Sequence, residues 1–573
     1  MQGEHRAYLI VVDSGGRVLC HGQSGSRATA ALCCVVEEGE SLDAAAARLA
    51  GQYPALVSAA LEQHGELCIE QGDTEVLGLV LSCRCDESAG FVNGQWQLLD
   101  ELLTAPDGVY TTDSLAALRR YVRDIVGRSA RSAPQQSEGD VNLSPTRRHW
   151  LEQNIDAETK HWLDADERWF LRQSLSTPCL NVLARCDGAY IEDLQGRRYL
   201  DFHGNNVHHV GFGHPKVIAA ITEQMASLSF CTRRYTNIPA IELAAKLAEL
   251  APGDLGKVLF APSGAGAISM ALKLARGATG RFKTISWWES FHGASLDTIS
   301  IGGEALFRQN AGPLLPGTEH APPPDPLHCP FQCGRECDLR CAGYIEYMLE
   351  KEGDVAAVVA ETIRSTPYIP RPDYWKRIRA ACDRHGTLLI LDEIPHGLGR
   401  TGRMFTCEHY GIVPDMVVIG KGLGGGIFPL AALIARKDLD VLSNRALGHY
   451  THEKSPVACA AALAAIELLE SGIVEHVRTL GDKARAELRE MQERHPLIAD
   501  VRGLGLFLGV ELKTGAERVM YRALELGLSF KVTMGRILTL TPALTITEEE
   551  MSRALGILER AISEVEAEPA LRA

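Results

Sequence analysis

The sequence predicts an α/β protein, a mostly parallel sheet with helices on both faces, preceded by a smaller separate unit. Three observations carry this. Short runs apolar on both faces, such as VLFAPSG, DVAAVVAETI, TLLILDE and PDMVVIGKG, alternate with stretches of helical apolar spacing, such as AGAISMALKLARGATG and PDYWKRIRAACDRHG. Most of these runs close on polar residues, and in open parallel sheets ligands sit at the carboxyl ends of the strands. Between the two units, SARSAPQQSEGDVNLSPTRR, Ser129 to Arg148, is polar and poor in large apolar residues, so it reads as a linker. The expected units are therefore 1–128, a linker over 129–148, and a main unit over 149–573.

Composition narrows the function classes. With 573 residues, 46% hydrophobic and 23% charged, the chain has the balance of a globular protein of two or three domains. A net charge of -15 argues against non-specific nucleic-acid binding, which needs basic patches. No apolar run reaches the roughly 20 residues of a membrane span. The start, MQGEHRAYLIVVDSGG, lacks the basic region and cleavage site of a secretory signal, so a cytoplasmic protein is expected.

The N-terminal unit opens on a strand-like RAYLIVVD and continues into CVVEEGESLDAAAARLAGQYPA, Cys34 to Ala55. This stretch resembles the Nudix box, with Glu40 and Arg48 in frame. Cys34 stands where the box has its first glycine, and Leu49, Gln52 and Tyr53 stand where it has metal-binding glutamates. Magnesium needs carboxylate oxygens that these residues do not carry. The expectation is a degenerate Nudix-like α/β/α domain that does not hydrolyse diphosphates.

Sixteen cysteines in a reducing compartment are mostly buried thiols. HCPFQCGRECDLRC sets Cys329, Cys333, Cys337 and Cys341 at four-residue spacing beside His328. Zinc knuckles more often use CxxC, and Pro330 and Gly334 interrupt any single helix, so a thiol-rich loop without metal is expected.

The chemistry starts from MVVIGKGLGGGIFPLA, where an apolar strand delivers Lys421 into a glycine-rich loop. A P-loop needs a glycine where Asp415 stands and Ser or Thr where Gly422 stands, so that reading fails. Upstream, Asp392 ends the apolar strand LLILD. A lysine and an aspartate at neighbouring strand ends suit pyridoxal 5'-phosphate: the lysine forms the Schiff base, and the carboxylate keeps the pyridine nitrogen protonated so that the ring acts as an electron sink. APSGAGAISMALKLAR is a strand, a small-residue turn around Ser263 and Gly264, and a helix whose N-terminus suits a phosphate. Phe291, in WWESFHGAS, is an aromatic available to stack on the cofactor ring.

Together with YLDFHGNNVHHVGFGHPKVIAAI, DEIPHGLGRTGRMF, SPVACAAALAAIELLE and VRGLGLFLGVEL, these motifs resemble the class III aminotransferases, pyridoxal-phosphate enzymes of fold type I, over roughly residues 150 to 565. The resemblance implies a large domain of about 200–460 and a small C-terminal α/β domain of about 461–565. It implies Lys421 as the Schiff-base lysine and Asp392 as the pyridinium partner. Ser263, Gly264, Ala265, Phe291, His292, Ile394 and Thr451 complete the expected cofactor contacts. Thr451 would reach the phosphate from a neighbouring subunit, which makes the protein a homodimer.

Three departures bear on substrate. The phosphate cup, usually Ser-Gly-Thr-Glu-Ala, here reads Ser263-Gly264-Ala265-Gly266-Ala267. Pro395 replaces a frequent glutamine. Thr539, in RILTLTPALTIT, stands where many members carry an arginine that grips the substrate carboxylate. The chain is more similar to a branch of that family, the (R)-1-hydroxy-2-aminoethylphosphonate ammonia-lyases of phosphonate breakdown, through RRYTN, SFHGASLDTISIGGEA, GPLLPGTEH and LGHYTHEKSPVACAAAL. The implied substrate is an aminophosphonate and the implied reaction a β-elimination; the alternative is an aminotransferase with an amine or aminophosphonate donor and a keto acid acceptor. Arg233, Arg234 and Arg364 are the candidate phosphonate cations, with Asn205, Asn206 and His208 as neutral donors and Thr539 at the substrate position. Arg400 and Arg403 read as structural.

Overall fold

The computed structural model describes residues 144–568, apart from 172, 174–178 and 334–336, together with six strands of the N-terminal region. The chain divides into two units, Met1–Pro134 and Gln135–Ala573.

In the first unit, β1 (Glu4–Val12), β2 (Val18–His21), β3 (Leu32–Val35), β4 (Glu62–Gln71), β5 (Thr74–Arg84) and β6 (Gly94–Gln97) make a mixed sheet in the order β4-β5-β1-β2-β6, with β3 also paired to β1. The run RAYLIVV lies in β1, and Cys34 lies in β3. The Nudix-box positions Glu40, Arg48, Leu49, Gln52 and Tyr53 fall outside the described residues.

The second unit begins earlier than the polar stretch suggested. Residues 145–148 are helix, not linker: Ser144 Oγ accepts from Arg147 N at 2.9 Å and Pro145 fits the first turn, so Pro145–Asn154 starts there. The meander β7 (Leu183–Asp187), β8 (Tyr190–Asp193) and β9 (Arg198–Asp201) follows.

The central sheet has seven strands, β10 (Leu255–Ala261), β11 (Lys283–Trp287), β12 (Thr318–Ala321), β13 (Val355–Glu361), β14 (Leu388–Asp392), β15 (Met416–Ile419) and β16 (Ala431–Arg436), in the order β10-β16-β15-β14-β13-β11-β12. Only β16 runs against the others. The apolar runs are continuous because both faces are covered. On β13, Ala357 and Val359 join one buried cluster with helix Gly264–Thr279, while Val358 and Ala360 join another with helices Arg340–Glu352 and Tyr374–His385. Asp392 on β14 is in register with Glu361 on β13 and Val418 on β15, so the ends of these three strands lie side by side.

The C-terminal portion is a second sheet, β17 (Ile498–Leu504), β18 (Phe507–Leu512), β20 (Lys531–Thr533) and β21 (Ile537–Leu540), ordered β17-β18-β21-β20, with the short β19 (Leu528–Ser529) pairing instead with β9. The run Pro456–Arg494 is long and apolar enough to cross a membrane by length and composition alone, and half of its most apolar window is buried within the structure. Its first segment, Pro456–Leu468, packs on helices Pro215–Ser227 and Ile238–Leu250, so the division expected near residue 461 falls in mid-helix.

Candidate active site

Three strand ends and one helix N-terminus build the site. Lys421 lies just beyond the end of β15, after Gly420, and holds a left-handed φ of 47°, a conformation that costs a non-glycine residue strain and persists only when its surroundings enforce it. The surroundings are tight: a Cβ on Gly422 would sit 2.3 Å from His209 Nδ1, and a Cβ on Gly420 would press on Ala431 and Ile394. Glycine on both sides of the lysine lets the chain pass.

Asp392, 2% exposed at the tip of β14, accepts from Ile394 N (3.1 Å, Oδ1) and faces His292 Nδ1 across 2.8 Å (Oδ2). His292 is itself buried, with Nε2 3.4 Å from Ser286 Oγ. A buried carboxylate demands such partners. Phe291 N donates to Glu361 Oε2 at 3.3 Å, and the Phe291 ring rests on Phe307 with centroids 4.5 Å apart.

Ser263 caps helix Gly264–Thr279, its Oγ accepting from Gly266 N at 3.1 Å; the first turn of this helix carries no acidic residue. A Cβ on Gly264 would lie 2.7 Å from Ile394 Cδ1, and one on Gly293 2.6 Å from Ala265 Cβ. Ser263, Gly264, Ala265, His292, Asp392 and Ile394 are thus joined through direct bonds and close packing, and Gly420, beside Lys421, packs on Ile394. This cradle fits pyridoxal 5'-phosphate: an anion-binding helix terminus, a buried carboxylate for a ring nitrogen and an amine on a rigid strand end.

The other expected contacts fare differently. Thr451 is exposed, on a turn whose Tyr450 ring would meet a Cβ on Gly266 at 3.2 Å. Arg233 and Arg234 are exposed, and Arg233 pairs with Glu453 at 2.9 Å. Arg364 is buried between two acids, bonding Glu304 at 2.9 Å and both oxygens of Glu361 at 3.0 and 3.1 Å, an ion-pair cluster that gives its charge a structural use. Thr539 is 1% exposed, with its hydroxyl 2.8 Å from Thr533 Oγ1. Asn205 is exposed and Asn206 buried, both at positive φ, with His208 buried beside them. Arg400 is fully buried against the carbonyls of Leu506 and Pro542, a tie between loops.

Two residues near the lysine escaped sequence reasoning as neighbours of Lys421. His209 and His396 are both buried, and burial, with the positive charges of Arg400 and Lys421 adding for His209 and of Lys421 for His396, keeps them neutral; His396 is pushed down to about 3. Their only signal was proximity in sequence to His208 and Asp392. In the cysteine loop, Cys329 and Cys333 Sγ stand 3.7 Å apart and Cys341 is buried. Among the described residues no three His, Cys, Asp or Glu side chains gather as a metal site.

The family model for class III aminotransferases matches residues 173–562. The chain belongs to this family. It is therefore a pyridoxal-phosphate enzyme, and its mixed sheet is that of fold type I. Among its relatives, the (R)-1-hydroxy-2-aminoethylphosphonate ammonia-lyase of Vibrio splendidus is 47% identical over 457 residues, 75% of this chain and 95% of that protein. The leucine/methionine racemase of Thermococcus litoralis is 37% identical over 70% of this chain and 94% of that one. An amine transaminase from an uncultivated Pseudomonas species, solved with PLP bound, superimposes with a TM-score of 0.65 at 29% identity, over 69% of this class III chain and 98% of the other.

Proposed function

We propose that this class III enzyme is a lyase that converts (R)-1-hydroxy-2-aminoethylphosphonate into phosphonoacetaldehyde and ammonia in phosphonate catabolism. The observation that carries the reading is the 47% identity, over nearly all of its length, to the Vibrio splendidus lyase. The uncharged, buried Thr539 is consistent with it, since that position offers no positive charge to a substrate carboxylate.

Pyridoxal phosphate, when bound, supplies an electron sink for the carbon that bears the substrate nitrogen. Ser263 and the N–H groups at the start of helix Gly264–Thr279 would hold the phosphate. Asp392, fixed by His292, would accept a hydrogen bond from the protonated ring nitrogen, Ile394 would pack beneath the ring and Phe291 against it. Lys421 Nζ takes the proton from the carbon bearing nitrogen and donates one to the departing hydroxide on the neighbouring carbon. The unsaturated amine that leaves adds water and splits into aldehyde and ammonia, so the reaction consumes no oxidant and no keto acid. In the homodimer that the family resemblance implies, Thr451 of each chain serves the other's phosphate.

The test is ammonia release from (R)-1-hydroxy-2-aminoethylphosphonate by cofactor-loaded protein without a keto acid. Stoichiometric ammonia and aldehyde support the lyase, with Lys421→Ala losing both activity and the cofactor's visible absorbance band. Turnover that strictly requires pyruvate or 2-oxoglutarate would make the protein an aminotransferase instead.

A further inference from the structure

We propose that His209 is a positioning residue for Lys421, holding the lysine's loop against the loop that follows Asp392. The inference rests on the reading of Lys421 as the residue that bonds the cofactor and moves the proton; it does not depend on which amine is the substrate.

The left-handed φ of 47° at Lys421 needs a wall, because crowding at Cβ disfavours it for any residue but glycine. On one side Gly420 packs on Ala431 and Ile394. On the other, His209 Nδ1 fills the space where a side chain on residue 422 would go, 2.3 Å from a Cβ built there. The ring that forms this wall is itself fixed. Its Nε2 lies 3.2 Å from Gly397 O, and the backbone carbonyl of His209 accepts from Leu544 N at 2.8 Å. Gly397 N donates in turn to Glu393 O at 2.8 Å, one residue past Asp392 at the tip of β14. A continuous set of contacts therefore runs from the strand end that carries the carboxylate, through His209, to the residue after the lysine. The His209 segment meets the lysine's loop a second time, since a Cβ on Gly426 would sit 3.4 Å from Val207 O.

The ring's protonation fits the task. A carbonyl only accepts, so Nε2 carries the proton and Nδ1 presents its lone pair toward Gly422. Among the described residues Nδ1 has no hydrogen-bond partner, and His209 is 1% exposed. Leaving a buried nitrogen unpaired costs stability, and a leucine would fill the space without that cost, so packing alone does not call for a histidine. Burial, reinforced by the charges of Arg400, His208 and Lys421, holds the imidazole neutral, and His396 on the lysine's other flank is neutral for the same reason. A neutral ring adds no repulsion to an amine that must carry a proton and give it up.

The test compares cofactor-loaded wild type, His209→Leu and His209→Gln. Leucine keeps the volume without a donor, whereas glutamine returns a donor nitrogen near the position of Nε2. Three quantities are read: Tm, the pH midpoint at which the cofactor's absorbance band titrates, and kcat with KM. His209→Leu is expected to move the midpoint by about half a pH unit or more and to lower kcat about ten-fold, with KM changed less than about three-fold. His209→Gln is expected to recover most of both. A change in Tm with midpoint and kcat at wild-type values makes His209 merely structural and overturns the assignment, as does a His209→Gln protein no better than His209→Leu. Where His209→Leu does not fold, Gly422→Ala asks the same question from the other side. Its methyl group needs the space of the ring, so it displaces the midpoint, and His209→Ala in that background brings it back; no return overturns the assignment. A Lys421→Ala protein that keeps the band refutes the reading of Lys421 itself. A band lost there and untouched by the His209 variants refutes only the role given to His209.

Discussion

Nδ1 of His292 stands 2.8 Å from Oδ2 of Asp392, and both side chains are almost completely enclosed. Asp392 also accepts from Ile394 N, so both oxygens are engaged and the carboxylate has one orientation. An acid that must meet a ring nitrogen gains from being fixed in advance rather than at the moment of binding. His292→Ala leaves a buried acceptor short of one partner, a loss of about 1–3 kcal/mol. The expected result is a kcat lower by roughly ten- to a hundred-fold, since each 1.36 kcal/mol is tenfold, with a shifted cofactor absorbance maximum. Unchanged absorbance and kcat in a folded His292→Ala protein would deny His292 this positioning role.

Ser263 caps its helix, and in the proposed function it also faces the phosphate. Losing the cap costs about 1 kcal/mol of stability. Ser263→Ala should therefore lower Tm slightly and weaken cofactor affinity several-fold, with activity recovered by added pyridoxal phosphate. Equilibrium dialysis measures the affinity directly. Tm loss without any change in cofactor affinity would restrict Ser263 to the capping role.

Much of this site was legible before the fold. Asp392 and Lys421 stand out because apolar runs stop on them, and Ser263-Gly264 because a small-residue turn joins a strand to a helix. What was hidden is what depends on register and on distant partners. The bond between His292 and Asp392 joins two strand-end loops, and Arg364 meets Glu304 only through the packing of separate loops. The polar stretch before residue 149 concealed a helix start because a capping serine and a proline look like linker composition until the next turn is seen.

Buried titratable groups set the acid limb of stability. Burial lowers His208 and His396 to about 3 and His320 to about 4, and pushes His209 well down, so these four bind protons in the unfolded chain but not in the folded one below about pH 6.5. Stability from them is full above that pH and is lost as pH falls. Glu393, raised to about 7, and Asp201, raised to about 6, act oppositely, because the folded state holds their protons longer. Four groups against two leave a net two protons taken up on unfolding, roughly 2–3 kcal/mol per pH unit between about pH 6 and 4.5. Thermal unfolding should show Tm dropping steadily across that interval, and a flat Tm from pH 6.5 to 5 would contradict this balance.

Arg364 separates a structural cation from a substrate contact. Its guanidinium lies between Glu304 and Glu361, all three nearly inaccessible, and Glu361 in turn accepts from Phe291 N. Taking away one partner of such a cluster leaves buried negative charge without compensation, a cost of about 3–5 kcal/mol. Arg364→Met should therefore appear first as a large fall in Tm and in soluble yield. Phe291 would shift with Glu361, so kcat would fall with KM little changed in whatever protein still folds. A stable Arg364→Met protein with KM for the phosphonate raised more than ten-fold and kcat intact would instead put Arg364 in contact with the substrate.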